Sequence, residues 1–141
     1  MLKIKVLNFG YKNLPFRAHE NDAGADVRVC FHNGEEGMWI EPNTSYKIPL
    51  GLGLILPDGY MACVYPRSGL SSSGLVCELP PIDSGYRGEI HAIVTNCGKT
   101  PRYINNGDRI GQLVITPVVI ADFITEDIKD RGDNGFGSTG K

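Results

Sequence analysis

Short runs in which apolar and polar residues alternate fill most of this chain, and turn signals separate them. Residues 2–6 alternate apolar residues with lysines, which is typical of a strand with one buried face. No segment shows an amphipathic helix longer than one or two turns. The pattern predicts an all-β domain: a sandwich, a jelly roll or a closed barrel. Further strands are predicted at 25–31, 46–48, 52–56, 60–65, 89–95 and 112–120.

Size and charge restrict the function. A chain of 141 residues has room for one compact domain. Its formal net charge of −2 provides no broad basic surface, so we expect neither a nucleic acid polymer nor a membrane as partner. Four cysteines without a CxxC pair, and no secretory leader after Met1, predict reduced, buried thiols. We expect a cytoplasmic protein, or one of the host cytoplasm if it is viral.

The C-terminal part divides into two kinds of sequence. Residues 113–120 are apolar on both faces, so this strand needs cover from the core or from another subunit. Residues 131–141 are rich in glycine with one aromatic, which is the composition of a mobile arm. We therefore predict a β domain at 1–130 and a flexible arm at 131–141.

Four stretches combine glycine with residues that can do chemistry. Asp26 follows a glycine at the start of a predicted strand. Pro66-Arg67-Ser68-Gly69 offers a guanidinium and a hydroxyl that suit phosphate, although it also reads as a strand-to-helix turn. Asp83 could activate water as a general base or serve a hairpin turn. The arm superficially resembles a phosphate loop, but it lacks the strand and helix that a phosphate loop requires.

These four stretches occur in order along the chain together with a fifth, and the five resemble the motifs of the trimeric dUTPase family. The resemblance covers nearly the whole chain. The five stretches are Ala23-Gly24-Ala25-Asp26, Pro66-Arg67-Ser68-Gly69, Ile82-Asp83-Ser84-Gly85-Tyr86-Arg87-Gly88-Glu89, Gly107-Asp108-Arg109-Ile110-Gly111-Gln112-Leu113 and Arg131-Gly132-x-x-Gly135-Phe136-Gly137-Ser138-Thr139-Gly140.

The resemblance implies a jelly-roll-like fold, a homotrimer with active sites between subunits, and hydrolysis of dUTP to dUMP and pyrophosphate. This activity limits uracil incorporation into DNA and supplies dUMP for dTMP synthesis. The C-terminal arm of each subunit is expected to close over a site that other chains build.

The resemblance also assigns roles to residues. Asp83 is the expected base, activating water for attack on the α-phosphorus, and Tyr86 is expected to pack against the deoxyribose. Asp26 is expected to reach Mg²⁺ through water, with the metal carried by the triphosphate. The other expected substrate-binding residues are Arg67, Ser68, Gly69 and Gln112 at the phosphates, Arg131, Gly137 and Ser138 at the terminal phosphates, and Phe136 stacked on uracil.

One stretch departs from the family pattern. Members usually have a glycine about three residues before the catalytic Asp, in the hairpin that reads uracil, and here Pro80-Pro81 stands at this place. Two prolines remove two amide donors. We therefore hypothesise an altered uracil pocket with weaker discrimination between deoxynucleotides.

Two alternatives remain open at this stage. A dCTP deaminase-like enzyme shares the fold and would need a suitably placed glutamate, for which Glu78 is a candidate. A regulatory protein-binding role, in addition to catalysis or in place of it, is the other.

Overall fold

The computed structural model describes residues 1–128, and nearly all of its regular structure is β. Within this range there are ten strands, β1 to β10 in chain order, and one short helix, α1, at Ser68–Ser72. No helix in the range is both long and apolar enough to cross a membrane. The strands are Lys5–Asn8, Ala25–Arg28, Gly37–Ile40, Ser45–Pro49, Leu52–Ile55, Tyr60–Tyr65, Leu75–Ile82, His91–Asn96, Arg102–Asn105 and Arg109–Pro117.

The strand pairs are antiparallel throughout this range. The largest sheet has the order β2-β10-β6-β7-β8-β4, while β1 pairs with β5 and β3 with β9. Alternate residues of the strands point into one core, where residues such as Ile40, Val94 and Ile110 are almost inaccessible to water. The prediction of an all-β domain is confirmed.

Three strands were not predicted: β3, β7 and β9. Strand β7 was missed because two adjacent prolines argue against a strand in sequence. Its pairing with β6 changes register between Leu79 and Ile82, so Pro80 and Pro81 lie at a bulge, where strands tolerate proline.

The last strand begins and ends three residues earlier than predicted. β10 ends at Pro117, whereas the apolar pattern predicted a strand to residue 120. Beyond it Val119 and Phe123 are 92% and 97% exposed, and Ile120, Ile124 and Ile128 are exposed too. Large apolar side chains left in water are unusual on a soluble monomer, so this segment is a candidate surface for contact with another chain.

All four cysteines are free, and they differ in burial. Cys63 and Cys77 are buried as predicted, but Cys97 is exposed and Cys30 is only half-buried, so the prediction of buried thiols is wrong for those two. Burial, reinforced by the charge of Glu78, raises the pKa of Cys77 to about 12. This thiol stays protonated at neutral pH and serves packing.

Candidate active site

Strand β10 brings two of the sequence motifs together, because it lies between β2 and β6. Gln112 on β10 is opposite Asp26 on β2 and opposite Tyr65 at the end of β6. Arg67 follows β6 after one proline and precedes α1. The Gln112 side-chain amide donates to the carbonyl of Pro66 at 3.2 Å, which ties this turn to β10.

The Asp26 carboxylate holds two arginines. Arg67 Nε is 3.3 Å from Oδ1 of Asp26, and Arg109 Nη1 is 3.3 Å from Oδ2. Arg67 also donates to the carbonyl of Arg109 at 3.3 Å. The Asp26 side chain is only 17% exposed, so these pairs are screened less than ion pairs in open water. Both guanidinium groups are therefore oriented before any ligand binds.

Gly24 allows this arrangement for a steric reason. A β-carbon at position 24 would lie 2.6 Å from Oε1 and 2.8 Å from Cβ of Gln112. The Gln112 side chain therefore crosses the backbone at Gly24 in a space that any other residue would fill.

These residues line a cavity of about 340 Å³, which we call the arginine cleft. Asp22 and Asp26 on its wall balance Arg67 and Arg109 in formal charge, so the cleft has cationic groups without a net positive charge. Such donors suit phosphate oxygens. The cleft is lined by Phe16, Ala18, Asp22, Gly24, Asp26, Arg67, Ser68, Gly69, Leu70, Arg109 and Gln112.

A second cavity, of about 370 Å³, opens where β7 and β8 separate, and we call it the Asp83 cleft. The β7–β8 pairing stops at Glu78 opposite Ile93, and the chain beyond Glu78 forms one wall of the cleft. That wall is largely apolar, and the exposed Asp83 stands at its end. The cleft is lined by Leu79, Pro80, Pro81, Ile82, Asp83, Tyr86, Glu89, Ile90, His91 and Ile93, with Lys47 from β4.

Tyr86 is fixed within the turn between β7 and β8. Its backbone N–H donates to the carbonyl of Asp83 at 3.1 Å, and its hydroxyl donates to the carbonyl of Glu89 at 2.8 Å. A β-carbon at Gly88 would lie 2.5 Å from the Tyr86 hydroxyl, so the ring packs directly over this glycine. The side chain is nevertheless 46% exposed, which leaves it able to contact a ligand.

The two clefts share no lining residue. The structure brings Asp26, Arg67, Ser68, Gly69 and Gln112 into the arginine cleft, and Asp83 and Tyr86 into the Asp83 cleft. The predicted base and the predicted phosphate ligands therefore lie in different places on one chain. The remaining predicted residues, Arg131, Phe136, Gly137 and Ser138, lie outside the described residues.

Sequence reasoning assigned no role to some residues of these sites. Arg109 was quoted within a motif, but an arginine after an aspartate in a turn resembles ordinary surface charge. Phe16 exchanges two backbone hydrogen bonds with Asp26 and lines the arginine cleft, and nothing in the sequence indicated it. The partners of Glu89, which include His32 and the backbone N–H of Gly51, were also missed.

The arginine-lined cleft of this all-β fold can bind phosphate groups, and the separate exposed carboxylate can act as a base, so the class of protein indicated is an enzyme acting on a phosphorylated substrate. A family model described as dUTPase matches residues 10–140, and the chain therefore belongs to the dUTPase family. It is 43% identical over 136 residues to a deoxyuridine 5'-triphosphate nucleotidohydrolase of Leifsonia xyli, with 92% of this chain and 86% of that protein covered.

Solved structures of phage proteins share the fold. A dUTPase of Staphylococcus bacteriophage 80alpha, a mutant solved with dUpNHpp, superposes with a TM-score of 0.82 at 26% identity, over 99% of each chain. A mutant dUTPase from phage phi11 of S. aureus, described with a structural Mg(II) ion, gives a TM-score of 0.81 at 24% identity, over 92% of this chain and 100% of that one. The expected jelly-roll-like dUTPase fold is confirmed.

Proposed function

We propose that this protein hydrolyses dUTP to dUMP and pyrophosphate in a site that the arginine cleft of one subunit and the Asp83 cleft of another build together. The observation that carries the activity is the dUTPase family match over residues 10–140. The proposed biological result is a smaller dUTP pool and a supply of dUMP for dTMP synthesis.

The separation of the two clefts supports an assembly. The proposed base and phosphate ligands have to meet on one substrate, and within one chain they line different cavities. A ring of identical subunits can place the first cleft of each chain against the second cleft of its neighbour. The exposed apolar segment around Val119 and Phe123 offers surface for such contacts. We propose the homotrimer that the family resemblance implies.

In this site, Asp83 accepts a proton from a water molecule as the water oxygen attacks the α-phosphorus. The bond from the α-phosphorus to the bridging oxygen breaks, and pyrophosphate leaves with the electron pair. Tyr86, held over Gly88, packs against the deoxyribose and leaves no room for a 2′-hydroxyl. The phosphate oxygens are bound by Arg67, Ser68, Gly69 and Gln112, whose donors stabilise the charge that develops on the leaving group.

The charges of the arginine cleft fit a magnesium-bound substrate better than a bare triphosphate. Its two carboxylates repel a bare polyanion, whereas they attract a divalent cation bound to the phosphates. Asp26 already holds two arginines, so contact through a metal-bound water suits it better than direct ligation. Among residues 1–128 no group of three His, Cys, Asp or Glu side chains could hold a metal alone. Mg²⁺ carried by the triphosphate, next to Asp26, would supply Lewis-acid stabilisation of the phosphate charge.

We further propose that residues 131–141 act as an arm that closes over the nucleotide. Arg131, Gly137 and Ser138 would bind the terminal phosphates and Phe136 would stack on uracil, while closure excludes bulk water. Removing these residues is expected to abolish most of the turnover. Full activity of the shortened protein would contradict the role of the arm.

The comparisons with known proteins favour neither alternative. The family match and the curated relatives support the dUTPase activity rather than a dCTP deaminase-like one or a regulatory protein-binding role. We propose a cytoplasmic location, which in a phage or viral protein would be that of the host.

The decisive assay measures pyrophosphate release from a panel of deoxynucleoside triphosphates, with and without Mg²⁺. We expect the fastest turnover with dUTP and magnesium. Release of ammonia from dCTP instead, or no release of pyrophosphate from dUTP, would contradict the proposed function.

A further inference from the structure

The Glu89 carboxylate joins three segments that are distant in sequence. Its side chain is only 14% exposed. It accepts the backbone N–H of Gly51 at 2.9 Å, and His32 Nε2 lies 2.7 and 2.8 Å from its two oxygens. The ring of His91 approaches the same carboxylate at 3.9 Å. Two short contacts to one imidazole nitrogen make His32 the closest side-chain partner of Glu89.

His32 and Gly51 come from parts of the fold outside the five motifs. His32 lies between β2 and β3, and Gly51 occupies the turn between β4 and β5 with a φ of +73°, which only glycine adopts without strain. Glu89 lies just before β8. The carboxylate therefore anchors the β7–β8 turn to two other loops.

Two further ionisable groups in this region are Cys30 and Lys12. Burial and the charge of Glu89 raise the pKa of Cys30, while Lys12 acts in the opposite direction. The Cys30 thiol donates to the carbonyl of Gly10 at 3.3 Å. Cys30 therefore stays neutral and bonded elsewhere, and it does not compete with Glu89 for His32.

The main chain of Glu89 connects this anchor to Tyr86. The Glu89 carbonyl accepts the Tyr86 hydroxyl at 2.8 Å. The chain between Tyr86 and Glu89 packs closely on β5, because a β-carbon at Gly53 of β5 would lie 2.7 Å from the carbonyl oxygen of Gly88. A turn held at Glu89 and packed on β5 leaves the Tyr86 ring little freedom.

We propose that His32 is a positioning residue that, through the Glu89 carboxylate, fixes Tyr86 at the Asp83 cleft and so sets the preference for a deoxyribose. This inference rests on the proposed function, since Tyr86 must contact the sugar. It adds a residue outside the motifs to the determinants of specificity.

The test compares His32→Ala with His32→Gln in the full-length protein. We expect His32→Ala to raise the KM for dUTP, and to lower the preference for dUTP over UTP, each by about fivefold, which is the size of one net hydrogen bond. We expect kcat to change by less than about twofold. His32→Gln, whose amide donates to the carboxylate, should restore both values. His19→Ala removes an exposed histidine outside both clefts and is the matched control.

A double-mutant cycle separates positioning from general stability. Tyr86→Phe removes the hydroxyl that Glu89 holds, so adding His32→Ala to it should change the KM and the sugar preference little further. Independent, multiplying effects would overturn the proposal. So would a His32→Ala variant that unfolds at a lower temperature but keeps the wild-type KM and sugar preference. If the wild type itself fails to hydrolyse dUTP, the proposed function fails instead.

Discussion

The arginine cleft and the Asp83 cleft are built in different ways. The first lies across three neighbouring strands, β2, β10 and β6, and two ion pairs to Asp26 orient its arginines. The second lies where two strands part, and its wall is largely apolar with an exposed carboxylate at the end. The arginine cleft presents charged groups of both signs, and the Asp83 cleft presents a carboxylate beside an apolar surface.

This contrast supports the proposal that two subunits build one site. The arginine cleft has the proposed phosphate ligands but lacks the proposed base, while the Asp83 cleft has the proposed base without those ligands. Mutations in the two clefts should therefore have different kinetic signatures: loss of binding in the first and loss of turnover in the second.

The largest effect is expected at the carboxylate of the second cleft. Asp83→Asn keeps the shape of the side chain but cannot accept the proton from water, so kcat should fall by about 10²–10⁴-fold. Binding of dUpNHpp, measured by calorimetry, should weaken only modestly. Asp58→Asn is the matched control, since Asp58 contacts the same turn through Ser84 at 3.4 Å without lining the cleft. Near-normal kcat in Asp83→Asn would remove the residue from its role.

A smaller effect, on substrate binding rather than on turnover, is expected in the arginine cleft. Asp26→Asn weakens the hold on Arg67 and Arg109, so the KM for dUTP should rise by about tenfold, with a smaller change in kcat. Asp22→Asn changes a carboxylate of the same cleft that bonds the backbone N–H of His19 instead of an arginine. If the two variants have the same kinetics, the ion pairs do not organise the cleft.

The two prolines of the Asp83 cleft are expected to affect the selectivity between deoxynucleotides. Because neither Pro80 nor Pro81 has an N–H, we expect dCTP and dTTP to be hydrolysed measurably beside dUTP. Pro80→Gly restores one donor and should raise the preference for dUTP by about threefold, the size of a modest hydrogen bond. Steady-state assays of the three nucleotides test this. Strict dUTP preference in the wild type would refute the hypothesis.

An effect of another kind concerns folding stability, away from both clefts. The pKa of Cys77 is raised from 9.0 to about 12 in the folded protein, so above pH 9 the unfolded chain loses this proton first. Folding stability should therefore be unaffected by Cys77 below pH 9 and fall above it, by about 1.4 kcal/mol per pH unit at most. Urea unfolding from pH 8 to 11 should show a steeper fall for the wild type than for Cys77→Ala. Parallel pH profiles would contradict this.

The sequence predicted the parts of the fold that depend on local pattern. The strand at Tyr60–Tyr65 was predicted with its bounds, because its apolar run ends at clear turn signals. Strand β7 was missed because a bulge beside β6 accommodates its prolines, and a bulge depends on the neighbouring strand. Asp26, Arg67 and Gln112 were named together from motif order alone. Their separation from Asp83 could not be predicted, since it depends on which strands become neighbours in the sheet.

The composite site is tested most directly by mixing two inactive variants. Asp83→Asn and Arg67→Ala each change a different cleft, so mixed trimers of the proposed assembly would contain sites in which both clefts are intact. Random assembly after co-refolding at equal amounts should restore about a quarter of the wild-type turnover, because each site takes one cleft from each of two chains. Each variant refolded alone should stay inactive. Mixed trimers with no more activity than the separate variants would contradict the shared site.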